Sequence, residues 1–147
     1  MKQNFIYRKD ITRKEHETWF YEKVQKGAVD QFIVENEESK PLGCVYLQNI
    51  DHQHRKAEEG IFLNPECPKG KGIGKASVNL ILDYAFNELK LHKVTARVLE
   101  YNKASLGLHK SVGFSKEALF RDEVYLNGKF ENVVFFGMLE SEFGGCK

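Results

Sequence analysis

Asn64-Pro-Glu-Cys-Pro-Lys-Gly-Lys-Gly-Ile-Gly-Lys75 joins an alternating, strand-like run to a long amphipathic one, and its three alternate-position glycines decide how the rest of the chain reads. Glycines at 70, 72 and 74 let a backbone approach a ligand closely, and the unpaired N–H groups at a helix start favour negative charge. Lys69, Lys71 and Lys75 add cationic side chains, so the stretch reads as a pyrophosphate cradle. A Walker loop, Gly-x-x-x-x-Gly-Lys-Ser/Thr, does not fit: the glycine spacing is one residue short and Ala76 stands where the hydroxyl belongs. A dinucleotide fingerprint, Gly-x-Gly-x-x-Gly, does not fit either, because the third glycine comes one residue early and no βαβ unit opens the chain.

Outward from the loop, 147 residues with 41% hydrophobic content fit a single domain over 1–143, with 144–147 as a flexible tail. The 22 basic and 21 acidic residues leave a net charge of +1, which provides no global field for nucleic acid or an anionic membrane. No apolar run approaches the ~20 residues that cross a bilayer, and the N-terminus lacks a signal-peptide core, so the expected location is cytoplasmic. Cys44, Cys67 and Cys146 have no Cys-x-x-Cys spacing, which points to free thiols and to no metal site. Cys67 lies in the loop, but a nucleophile also needs a positioned base.

Thr12-Arg-Lys-Glu15 is a capping box opening a helix to about Gln25, on which His16 and Trp19 share a face. Gln31–Asn36, Leu42–Ile50 and Lys56–Leu63 read as a strand meander. In the third strand, alternation sets Glu58, Gly60 and Phe62 on one face and Glu59, Ile61 and Leu63 on the other. The helical spacing of Ile73, Ala76, Leu80, Ile81, Tyr84, Ala85 and Leu89 predicts a helix from Gly72 to about Leu89 packed on the sheet. Lys93–Leu99 follows as a strand and Asn102–Val112 as a helix closed by Gly113. Leu119–Leu126 and Lys129–Leu139 flank Asn127-Gly128, the signature of a hairpin with a type I′ turn. Its run Val133-Val-Phe-Phe136 carries more apolar surface than one face needs, so a homodimer through the terminal strands is expected.

In this order, Glu58-Glu-Gly-Ile-Phe-Leu63, the loop Lys69-Gly-Lys-Gly-Ile-Gly74, Asn102-Lys-Ala-Ser105 and Leu108-His-Lys-Ser-Val-Gly-Phe114 resemble the GNAT acetyltransferases. The resemblance implies the GNAT fold of α/β (α+β) type, a mixed, mostly antiparallel sheet flanked by helices, with acetyl-CoA as cosubstrate and a small-molecule amine as acceptor. It further implies that Ile61, Phe62 and Leu63 meet the pantetheine arm and that Lys69, Gly70, Lys71, Gly72, Ile73, Gly74 and Lys75 hold the pyrophosphate. Asn102, Ser105 and His109 would line the cofactor's other side. Glu58 would act as base, directly or through water. His109 stands where many relatives carry the tyrosine that protonates the CoA thiolate. For Glu58 the alternative is a strand carboxylate paired with Arg55 or Lys56, and for His109 a helix-surface histidine on the C-terminal dipole.

Three bacterial branches share features with this chain. Ile11-Thr-Arg-Lys-Glu-His-Glu-Thr-Trp19, Leu108-His-Lys110 and Phe120-Arg-Asp122 resemble the enzymes that acetylate a 4-amino group on a nucleotide-linked sugar in pseudaminic acid synthesis, and that acceptor is the first expectation. Ile50-Asp-His-Gln-His-Arg-Lys-Ala-Glu58 resembles the spermidine acetyltransferases, for which Glu22, Glu37, Glu38 and Asp51 would have to form an acidic pocket. Ribosomal-protein N-terminal acetyltransferases are the third branch. The His52–Arg55 turn is a candidate acceptor contact. These relatives begin with a strand and part of a helix before the segment matching Phe5-Ile-Tyr-Arg8, and the chain is expected to lack that first strand. A domain that binds acetyl-CoA without catalysis is the corresponding alternative.

Overall fold

The computed structural model describes residues 29–36 and 38–144. The expected Thr12 helix with His16 and Trp19, the question of a first strand, and Glu22 and Glu37 all lie outside those residues. Six strands form one sheet in the order β1-β2-β3-β4-β6-β5: β1 Val29–Glu35, β2 Pro41–Asp51, β3 Lys56–Leu63, β4 Lys93–Leu99, β5 Ser115–Leu126 and β6 Lys129–Leu139. Neighbours are antiparallel except β3 and β4, which run parallel because a helix, α1 (Ile73–Asp83), carries the chain between them. A second helix, α2 (Lys103–Val112), links β4 to β5.

Alternation in the strands sorts the sheet into two faces. Val45, Leu47, Ala57, Val94, Ala96, Val98, Val134, Phe136 and Met138 are all buried toward the helices, where they meet Val78, Ile81, Leu82, Ala85 and Phe86 of the first helical segment. That segment matches the expected span but changes character: after Asp83 it widens into a π turn over Tyr84–Glu88. The Tyr84 hydroxyl donates to Asp30 Oδ2 at 2.7 Å, and its ring meets Phe32 edge-on at 4.9 Å, so the turn is fastened to β1.

The helix ends follow their residues. Asn102 caps α2 by accepting from the Ser105 N–H at 3.2 Å, and Gly113, with φ 119°, closes it. Asn127 and Gly128 have φ of 51° and 81°, the two left-handed positions of a type I′ turn. The hairpin differs from expectation in one respect. β6 lies between β4 and β5, so Val133, Val134 and Phe136 are buried within the chain rather than left for a partner. Phe135 is half-buried, and the exposed apolar groups of the hairpin are instead Leu119, Phe120, Tyr125, Phe130 and Leu139.

Candidate active site

The site is opened by a fork in the sheet. β3 pairs with β4 at only three positions, Lys56 with Lys93, Ala57 with Val94 and Glu58 with Thr95, whereas β4 pairs with β6 along its whole length. On its other side β3 stays paired with β2 as far as Leu63. From Glu59 to Leu63 the strand therefore turns an edge toward β4 with no strand against it among the described residues, and such an edge can accept an extended, amide-bearing ligand. The β2–β3 contact is tight here: a Cβ on Gly43 would lie 2.7 Å from Leu63 Cα, and one on Gly60 would enter the Tyr46 ring.

Next to the fork lies the start of α1. Gly70 and Gly72 have φ of 74° and 77°, the left-handed region that favours glycine, and open space surrounds both. Gly72 is the N-cap without side-chain help, and the first intrahelical bond runs from the Ala76 N–H to Gly72 O at 2.9 Å. The amides of Ile73, Gly74 and Lys75 precede that bond, and no acidic residue occupies the first turn. Lys69, Lys71 and Lys75 are exposed beside them. This donor set fits a pyrophosphate by charge and by hydrogen bonding. Gly74 does something else: a Cβ there would sit 3.5 Å from Leu108 of α2 and 3.7 Å from Leu63 of β3, so this glycine marks where α1, α2 and the end of β3 converge. Cys67 is buried, with its thiol 3.8 Å from Pro68 O, and is not offered to the loop's surface.

Glu58 and His109, expected at one site, stand on opposite sides of the sheet, because successive residues of β3 point to opposite faces and His109 meets Glu59. Glu58 is held by Arg97 of β4, whose Nε and Nη2 donate at 3.0 and 3.2 Å, and by Gln48 Nε2 of β2 at 2.8 Å. The partners named from sequence, Arg55 and Lys56, are not used: Arg55 donates to Lys90 O and faces Glu140. Such a fork-like pair fixes the direction of the carboxylate.

His109 is 3% exposed, which removes the helix-surface reading. Its ring stacks on Phe136 at 5.7 Å and meets Phe114 edge-on at 5.2 Å. Nδ1 lies 2.8 Å from Ser105 O and 3.3 Å from Ser105 Oγ, while Nε2 bonds to Glu59 Oε1. Burial pushes the imidazole pKa down, but the hydrogen bond and charge of Glu59, with the Ser105 carbonyl, outweigh it and the net direction is up. Glu59 Oε2 is buried without a partner. Sequence separations of 39 residues for Arg97–Glu58 and 50 for His109–Glu59 left no local signal for either pair.

Two further features bear on the acceptor. In the His52–Arg55 turn Asp51 is occupied by its own neighbours, accepting from the Gln53 and His54 N–H groups and meeting His54 Nδ1 at 2.8 Å. Those bonds hold its carboxyl below the usual range. Where β4 ends and α2 begins, a cleft of about 390 Å³ is walled by Tyr101 and Phe130 and carries Glu100, Asp122 and Glu131 together with Lys103 and Asn132, so that acidic groups outnumber the one lysine in its lining. That acidic and aromatic character arises from the long-range placement of the hairpin against β4, and the sequence offered no sign of it. Among the described residues no helix is long and apolar enough to cross a membrane, and no cluster could hold a metal ion.

Residues 1–115 match the family model described as an acetyltransferase (GNAT) domain. A spermidine N(1)-acetyltransferase of Vibrio cholerae is 32% identical over 88% of this chain and 74% of its own length. A putative ribosomal N-acetyltransferase of Bacillus subtilis is 35% identical over 71% of this chain, and the Escherichia coli spermidine N(1)-acetyltransferase is 32% identical over 77%. The chain spans only 57% and 60% of those two relatives. Among solved structures, that of the Vibrio cholerae spermidine N-acetyltransferase in complex with CoA and spermine superposes with a TM-score of 0.83 at 31% identity, over 89% of this chain and 77% of that one. A dodecameric form of the same enzyme gives 0.83 at 30% identity, over 92% and 79%.

Proposed function

The chain belongs to the GNAT family of acetyl-CoA-dependent N-acetyltransferases, and from that premise we propose that it moves an acetyl group to a primary amine of a polyamine of the spermidine kind. The observation that carries the reading is the β3–β4 fork meeting the glycine loop. The open edge at Ile61, Phe62 and Leu63 pairs with the amide-bearing pantetheine arm. The amides and lysines of 69–75 take the pyrophosphate, and Asn102 and Ser105 at the start of α2 close the other wall. Backbone N–H groups of β3 beyond the fork polarise the thioester carbonyl.

Direct attack needs a neutral amine. Glu58 takes the amine proton through water, with Arg97 and Gln48 keeping the carboxylate aimed. Spermidine acetyltransferases from two genera among the relatives support a polyamine, and the acidic, aromatic-walled cleft at Glu100, Asp122 and Glu131 suits a polycation. The nucleotide-linked amino sugar expected from sequence has no counterpart among these relatives. A second reading, a peptide N-terminus as acceptor, rests on the ribosomal relative. The dodecameric neighbour favours self-association, which light scattering tests.

The deciding assay is CoA release from acetyl-CoA with spermidine, a UDP-4-amino-4,6-dideoxy sugar and a ribosomal N-terminal peptide as parallel acceptors. Release with spermidine alone is the expected result. Release with another acceptor alone replaces the polyamine, and silence throughout with acetyl-CoA still bound identifies a cofactor-binding domain.

A further inference from the structure

On the face of the sheet that carries Glu58, β2 sets three residues directly opposite β3: Gln48 faces Glu58, Tyr46 faces Gly60 and Cys44 faces Phe62. Val45 and Leu47 point the other way, into the helical core, so Tyr46 and Gln48 are left half-buried on the base's face. Gln48 reaches its partner and donates to Glu58 Oε2 at 2.8 Å. Tyr46 instead lies across its partner. A Cβ built on Gly60 would collide with Tyr46 Cζ, Cε2 and the hydroxyl oxygen, so it is the far end of the ring that covers this residue. Gly60 has no positive φ, and the space taken by the phenol, rather than backbone freedom, is what requires glycine there. Gly60 also belongs to the stretch of β3 beyond its last pairing with β4 at Glu58. The result is a phenol hydroxyl set over the fork, on the same face as Glu58 and two residues from it, about 7 Å along the strand.

Resting on the acetyltransferase reading and on Glu58 as its base, we propose that Tyr46 is the acceptor-orienting residue of the site: its hydroxyl oxygen accepts an N–H of the incoming amine and turns the nitrogen lone pair toward the thioester carbon. A thioester whose pantetheine arm pairs with the open edge of β3 brings its carbonyl carbon beside Gly60. An amine that gives up its proton toward Glu58 then approaches on the face where the Tyr46 hydroxyl stands. Before attack the ammonium proton goes through water to Glu58 and on to solvent. The neutral primary amine has two N–H groups and one lone pair. One N–H goes to Tyr46 Oη and the other to the water that leads to Glu58, which leaves the lone pair for the carbon. As the nitrogen–carbon bond forms, the nitrogen becomes positive and its bond to Tyr46 strengthens. The surplus nitrogen proton leaves through the water, the carbon–sulfur bond breaks with its electron pair on sulfur, and the thiolate takes up one proton from solvent.

The test measures kcat and KM for both substrates, using whichever of spermidine, the amino sugar and the N-terminal peptide the wild type turns over fastest. Tyr46→Phe keeps the ring over Gly60 and removes only the hydroxyl. It should lower kcat/KM for the amine by about 10- to 100-fold, mostly through kcat, with KM for acetyl-CoA and the melting temperature close to wild type. Gly60→Ala keeps the hydroxyl but displaces it, and should lower the same ratio. An unchanged kcat/KM for the amine in Tyr46→Phe overturns the assignment. So does a loss matched by a rise in KM for acetyl-CoA or by a fall in melting temperature, which marks Tyr46 as a packing residue only. A wild type that binds acetyl-CoA and acetylates none of the three acceptors overturns the acetyltransferase reading, and this assignment with it. An active wild type beside an equally active Tyr46→Phe overturns this assignment alone. If Tyr46→Phe does not fold, Gly60→Ala decides by the same ratio, and an unchanged value there is the refuting result.

Discussion

Substituting the glycines of the 70–75 loop one at a time should split them into two kinds. Gly72 has φ 77° with nothing within reach of an added Cβ, so Gly72→Ala meets no neighbour and suffers only from its backbone. Holding a non-glycine residue in the left-handed region costs about 1–2 kcal/mol. Gly74 lies inside α1 without positive φ, and its Cβ would make ordinary contacts at 3.5 Å with Leu108 and 3.7 Å with Leu63. Alanine there gains helix propensity of up to about 1 kcal/mol. The two variants should therefore differ by roughly 1–3 kcal/mol, in opposite directions from wild type, a gap of about 2–12 °C for a chain of this size. Differential scanning fluorimetry at fixed protein concentration reads the gap, and titration with CoA reads function: Gly72→Ala should weaken binding because the N-cap amides turn away, while Gly74→Ala should bind nearly as before. If Gly74→Ala melts below wild type, or Gly72→Ala melts at or above it, the division of labour within the loop is wrong.

Glu58→Gln removes the charge from the Arg97–Glu58 pair and should lower kcat by about 10²-fold, KM for acetyl-CoA being spared; a kcat equal to wild type removes Glu58 as the base. Gly43→Ala should lower the melting temperature far more than Gly60→Ala, since at Gly43 the obstruction is backbone of β3 and at Gly60 it is the movable end of Tyr46; equal shifts contradict this. For Tyr84, burial first and then the Asp30 hydrogen bond and charge push the phenol from 10.0 up to about 12. A raised folded-state pKa means stability complete below the unfolded value and lost as pH climbs from about 10 toward 12. Denaturant midpoints should decline over that window in wild type and less steeply in Tyr84→Phe.

Much of this molecule was legible in the order of its residues. Alternation in Lys56–Leu63 put Glu58 and Glu59 on opposite faces, Asn102 and Gly113 bounded α2, and Asn127-Gly128 fixed the hairpin turn, because each of these is settled within a few residues. What was not legible depends on strand order. The apolar run at Val133–Phe136 looked excessive for one face of a sheet; with β6 between β4 and β5, Val133, Val134 and Phe136 are buried inside the chain. Arg97 gave no sign of its role because a β4 residue reaches Glu58 only once parallel pairing at 56–58 and 93–95 brings the two strands together. The π turn at Tyr84–Glu88 is equally non-local, tied to Asp30, which lies 54 residues earlier. His109 and Ser105 sit four apart on one helix face, as the spacing required, but the carboxylate that bonds the histidine comes from a strand 50 residues away.

The fork between β3 and β4 leaves the sheet of the described residues short of a rung. A ligand that adds that rung becomes part of the hydrogen-bonded architecture, so folding and cosubstrate binding draw on the same free energy. Saturation at a hundred times Kd adds about 2.7 kcal/mol to the folded state. Local opening of that edge would grow rarer as the cosubstrate saturates it, and amide exchange at Ile61–Leu63 would record the change as a gauge written in backbone protection.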